Sequence, residues 1–178
     1  MISTNLLKIL FILFIAFAIG EIIFTVQRYG KDIFKSKPGS CKILEEKFCS
    51  QTRIARTKDI IYIGINLPPG TPIYAPVDGR VSVPTKINQP SPFQGFTVGM
   101  NDSNDPTVNY SFRGDVQFSS NLSGVTKAGI IIGTVTNTGA KSFDIYNFVI
   151  GIEKPDLSLK RYVSVENRYK ILFPKLKL

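Results

Sequence analysis

The chain has 178 residues, with 22 Lys and Arg against 13 Asp and Glu, a formal net charge of +9, two cysteines and no histidine. Without histidine, imidazole zinc ligands and histidine-based acid–base catalysis are excluded, and two cysteines permit one disulfide at most. The length suits one modest domain with an appendage.

Residues 9–26 form a nearly unbroken apolar run, interrupted only by Glu21. As a helix this run rises about 27 Å, close to the ~30 Å hydrocarbon core of a bilayer. A secretory leader would start at Lys8 and end at Ala16-Phe17-Ala18. Because apolarity continues through Ile22, Ile23, Phe24 and Val26, we read residues 1–26 as a retained single-pass anchor. Arg28, Lys31, Lys35 and Lys37 follow it, and the positive-inside rule taken alone would hold the rest of the chain in the cytoplasm.

Residues 27–58 read as a short stalk, broken at Lys37-Pro38-Gly39-Ser40. In one continuous helix Cys41 and Cys49 would lie about 12 Å apart, so a disulfide between them requires a turn. We expect that disulfide, which suits an oxidising compartment. Residues 59–166 then carry many short β segments with frequent turns and no helical period, which predicts an all-β domain. Strands are expected at residues 59–67, 71–75, 80–83, 96–98, 110–112, 116–118, on either side of Ala128-Gly129, at 145–152 and at 162–165. Residues 80–83 read as the return strand after an Asp78-Gly79 turn, and 110–112 and 116–118 as a pair around Arg113-Gly114-Asp115. Residues 167–178 read as a basic tail.

Four phrases occur in fixed order: Gly70 to Val81 (Gly-Thr-Pro-Ile-Tyr-Ala-Pro-Val-Asp-Gly-Arg-Val), Tyr110-Ser111-Phe112, Val125 to Gly133, and Asn137-Thr138-Gly139. Over residues 60–152 this order resembles the lysostaphin/LytM-like zinc endopeptidases that cut peptidoglycan cross-links. The resemblance implies a LytM-like fold of the duplicated-hybrid-motif type, here behind a single transmembrane helix. It places the family's metal and catalytic positions on Tyr62, Asn66, Phe112, Ile145 and Asn147, the last two depending on loop length. None of these side chains supplies an imidazole or carboxylate, so neither zinc nor catalysis is expected and no cofactor is implied.

The expectation is therefore a degenerate, non-catalytic member. It would sit outside the cytoplasmic membrane and act as a structural or regulatory module of an envelope complex, with a protein partner or peptidoglycan in the former substrate groove. The resemblance thus overrides the charge bias. Tyr62, Asn66, Phe112, Ile145 and Asn147 are expected to line that groove as an interaction surface, the alternative being that Tyr62 and Phe112 merely fill the vacated metal cavity. The alternative reading is a biotinyl/lipoyl-like hammerhead serving as an accessory subunit or adaptor of a membrane complex. Ala75 to Val81 and the Gly129–Gly133 turn fit it, whereas residues 110–118 are extra to it.

Other patterns carry less. Arg113-Gly114-Asp115 reads as a turn rather than an adhesion signal, and Asp78, Asp115 and Asp144 as turn residues rather than bases. Asn-x-Ser sequons begin at Asn101, Asn109 and Asn121 and do not by themselves establish glycosylation. Residues 27–60 carry nine basic and four acidic side chains, 61–159 six and seven, and 160–178 six and one. Two basic flanks beside a near-neutral core suit anionic headgroups or cell-wall polymers as well as plain solvation. No nucleic-acid motif accompanies them.

Overall fold

The Ile-rich segment after Asp59 forms a strand with both faces covered, β2 (Ile61–Ile65), and the larger of two antiparallel sheets is assembled around it. A computed structural model describes residues 37–87, 92–119 and 124–176. The expected anchor, the stalk before Lys37 and Asn121 lie outside these residues. Among the described residues no helix is long and apolar enough to cross a membrane.

A short helix α1 (Glu46–Cys49) and strand β1 (Arg53–Arg56) precede β2. There follow β3 (Pro72–Tyr74), β4 (Gly79–Val81), β5 (Thr85–Lys86), β6 (Phe96–Asp102), β7 (Asn109–Gly114) and β8 (Val116–Phe118). The chain continues through β9 (Gly124–Thr126), β10 (Ile131–Val135), β11 (Phe148–Asp156), β12 (Arg161–Ser164) and helix α2 (Glu166–Leu172). The large sheet runs β1-β2-β11-β7-β6-β4-β9, with β12 added to β11 and β5 to β6; the small sheet runs β3-β10-β8. The domain is therefore all-β, as the turn-rich sequence predicts.

Two expected hairpins are instead crossovers between the sheets. β3 joins the small sheet and β4 the large one, because Ala75 N–H bonds Ile130 O while Gly79 and Val81 pair with β6 and β9. Asp78 fixes the crossing by accepting from Lys127 Nζ and Ala128 N–H. The second crossing is Arg113-Gly114-Asp115. Gly114 has φ 139°, and a Cβ there would lie 2.2 Å from Asn147 O, so only glycine passes. Asp115 is buried and accepts from Thr136 Oγ1, Thr138 Oγ1, Thr138 N–H and Gly139 N–H, locking the Asn137-Thr138-Gly139 turn. This tripeptide is packed inside the domain.

One face of the large sheet, carrying Ile63, Ile150, Phe112 and Val98 in register, packs in the same core as Ile73, Val116 and Ile132 of the small sheet. The stalk and the tail contribute to it. From Lys37 onward the expected stalk belongs to the compact unit, with Cys41, Ile43, Leu44 and Phe48 buried. Cys41 and Cys49 form a disulfide across a turn, with Cα atoms 5.6 Å apart. The expected tail contributes most of α2, which buries Tyr169 and Leu172 at i and i+3, and Phe173 is buried just after its end. The Tyr169 hydroxyl donates to Ile61 O and accepts from Ile152 N–H, filling the place where the β2–β11 ladder ends.

Candidate functional site

The opposite face of the large sheet carries Tyr62, one of the five positions singled out from the sequence. Register sets it out row by row. Tyr62 faces Gly151, which faces Ser111, which faces Gly99; the neighbouring row is Gly64, Val149, Arg113 and Thr97. Small residues dominate here because other side chains lie directly on them. A Cβ on Gly151 would sit 2.7 Å from Ser111 Oγ and 2.8 Å from Tyr62 Cε1, and one on Gly64 would sit 2.4 Å from Tyr146 Cδ2.

Tyr62 is 2% exposed and lies in an aromatic cluster, its ring centroid 4.8 Å from that of Phe93 and 5.7 Å from that of Phe143. Arg113 caps the cluster, with its guanidinium carbon 4.3 Å from the Phe93 centroid and 5.3 Å from that of Tyr62. Arg113 Nη1 donates to the Tyr62 hydroxyl at 3.3 Å, and Arg113 Nη2 lies 3.8 Å from Glu153 Oε1. Burial raises the Tyr62 phenol above its usual range, and the nearby Arg113 charge only partly offsets this. Asn109 Nδ2 steadies Glu153 from the other side at 3.3 Å. The Ser111 hydroxyl is buried without a hydrogen-bond partner among the described residues.

The five residues singled out from the sequence separate. Phe112 is fully buried on the core face, its ring stacked on Phe148 at 6.5 Å, because strand alternation points it away from Tyr62. It lines no groove; the groove-facing residues of β7 are Asn109, Ser111 and Arg113. Tyr62 does face the groove, yet it is closed over and gives no accessible platform. Ile145 and Asn147 precede β11, and the residues opposite Tyr62 and Gly64 are Gly151 and Val149, a shift set by the loop at 142–146. Ile145 is 57% exposed on that loop. Asn147 works as a backbone splint, accepting from Leu67 N–H at 2.8 Å and donating to Leu67 O at 2.7 Å. Asn66 accepts from Asn147 N–H at 3.1 Å and from Lys141 Nζ at 3.2 Å. Both amides are thus occupied in holding loops.

None of these groups fits zinc. Phenol, amide, guanidinium, Val149 and Gly151 offer no imidazole or thiolate, and Arg113 adds positive charge where a cation would sit. Among the described residues no group of three or more Cys, Asp or Glu side chains could hold a metal ion. Beyond Gly99 the same face opens into a cavity of about 330 Å³ lined by Ser82, Asn101, Thr107, Asn109 and Tyr162 among others. Its lining offers amides and hydroxyls and no charge. Sequence reasoning passed over Phe93, Phe143, Tyr146 and Glu153, and read Arg113 only as part of a turn. The alternation of Val149-Ile150-Gly151-Ile152-Glu153 was the available signal, since it puts Gly151 and Glu153 on one face. In comparisons with known proteins, no family model matches the chain and no curated protein matches its sequence.

Proposed function

We propose that this chain is a membrane-anchored, catalytically inactive LytM-like domain that acts outside the cytoplasmic membrane as an interaction module of an envelope complex. The carrying observation is the division of the groove face. Its Tyr62 end is filled by Phe93, Phe143 and Arg113, whereas its Gly99 end is open, polar and uncharged. A former catalytic end packed with rings serves stability. The open end is left to contact a partner, and amides with hydroxyls suit the hydrogen-bonding backbone of a peptide or glycan strand. The contact surface is therefore Asn101, Thr107, Asn109 and Tyr162, displaced from the positions expected from the motifs.

The test places a photo-crosslinking residue at Thr107 in the full-length chain in its own membranes, with Val125, which is 76% exposed on β9, as the comparison. Adducts at residue 107 and none at 125 support the reading. Equal adducts at both positions refute the surface, and muropeptide release that stops with chelator refutes the inactive assignment.

A further inference from the structure

Leu157 is 86% exposed and Leu159 52% exposed, side by side at the tip of the β11–β12 hairpin. The tip holds a defined shape: Asp156 Oδ1 accepts from Ser158 N–H at 3.0 Å, Ser158 Oγ at 2.6 Å and Leu159 N–H at 3.1 Å, and Lys160 turns the chain at φ 50°. Both leucines are thereby presented to solvent by a built turn.

The same end of the sheet is basic. Arg161 pairs with Asp59, which ties the β1–β2 loop to the hairpin, and Ser164 Oγ accepts from Ile61 N–H at 2.7 Å at the same end of the sheet. This brings Arg56 and Lys58 to the end that carries Lys154 and Lys160. Among the described residues none of these four cations forms an ion pair. Of the acids at this end, Asp59 pairs with Arg161 and Asp156 is held by the turn, while the Asp105 carboxylate lies close enough to Lys154 for the two charges to interact.

We propose that this end of the domain docks on an anionic lipid surface, with Leu157 and Leu159 entering the acyl boundary and Arg56, Lys58, Lys154 and Lys160 meeting the headgroups. An apolar tip on a basic end of the sheet reproduces the layering of a bilayer interface. A protein partner is the poorer fit, because protein interfaces are depleted in lysine and three of the four cations are lysines. The inference goes beyond the proposed interaction module, since the hairpin contributes neither leucine to the polar cavity.

The chain contains no tryptophan, so one introduced residue reports alone. Residues 37–178 are used, because the whole described core and the disulfide lie within them and the apolar run at 9–26 is left out. Leu159→Trp and, as comparison, Val125→Trp are mixed with vesicles of phosphatidylcholine alone and of phosphatidylcholine with phosphatidylglycerol in equal parts. A blue shift is expected for Leu159→Trp on the anionic vesicles only. Co-sedimentation with them is expected to fall about tenfold in Leu157→Ser/Leu159→Ser and again in Lys58→Glu/Lys160→Glu. All four positions are exposed, so melting temperatures stay unchanged. No shift on either vesicle, an equal shift in Val125→Trp, or binding untouched by the leucine changes overturns the proposal. Because no partner is present, none of these outcomes depends on the fate of the groove reading.

Discussion

Truncating Tyr62 and Phe112 separates ring infill from ring display. Phe112 is 0% exposed and Tyr62 2% exposed, so each loses a buried ring on mutation to alanine. Large aromatic truncations in a core cost about 3–5 kcal/mol, and neighbouring rings add about 0.5–1.5 kcal/mol per pair. Phe112→Ala leaves its void between the sheets against Phe148, where packing from both sides resists collapse. We place it near the upper end. Tyr62→Ala strips one ring partner each from Phe93 and Phe143 and one acceptor from Arg113, but the loops above it can settle; about 3 kcal/mol is expected. For a domain of this size each kcal/mol lowers the melting temperature by roughly 2–4 °C, so Tyr62→Ala should melt about 10 °C early and Phe112→Ala about 15 °C early. Ile145→Ala, at 57% exposure, should stay within about 0.5 kcal/mol of the parent. Urea unfolding of the 37–178 unit measures all three. A loss below about 1 kcal/mol for both ring variants would mean that the rings are displayed rather than packed, and would return Tyr62 to the contact surface.

Asp115→Asn should cost about 2 kcal/mol at neutral pH, because the carboxylate accepts from Thr136, Thr138 and Gly139. Burial pushes the Asp115 carboxyl up, but those hydrogen bonds outweigh it and hold the group below its usual value. Its contribution is therefore complete above the unfolded pKa, about 3.9, and fades as pH falls further; urea melts should show the gap to Asp115→Asn closing only below about pH 4. Tyr169→Phe removes the donor to Ile61 O and the acceptor for Ile152 N–H in a buried site, and should lower unfolding free energy by about 2–3 kcal/mol. Closing the short Cys41–Cys49 loop contributes about 2.5 kcal/mol in the chain-entropy account, so Cys41→Ser/Cys49→Ser should show that loss. On intact cells, a membrane-impermeant maleimide should label the parent chain only after reduction. Labelling that needs lysis instead would place the domain in the cytoplasm, as the charges after residue 26 suggest.

What the sequence disclosed followed from how local each determinant is. β2 and β10 were legible because Ile and Val runs bounded by turn residues depend on little else. The crossings at Ala75–Asp78 and Gly114 were not, since a tight turn looks alike whether the next strand pairs back or joins another sheet. That choice is made by Ile130 O and Asn147, far along the chain. The two ends were misread for a related reason. Seven residues of α2 carry too few turns to display a period, and the stalk reads as polar until Cys41, Ile43 and Leu44 meet the core. The candidate site shows the same limit more sharply. Motif spacing put Tyr62 on a strand, β2, but a side chain's face is fixed by parity, and a one-residue difference moves it through the sheet. Phe112 fell on the core face while Ser111 and Arg113 took the groove; Asn147 fell short of the strand while Gly151 took the place opposite Tyr62. The plug itself, Phe93 and Phe143, comes from loops whose sequences advertise nothing, and only the folded chain brings them onto Tyr62. Residues close in sequence spacing are therefore divided between the two faces of the sheet, and the rings that cover Tyr62 come from segments far from it along the chain.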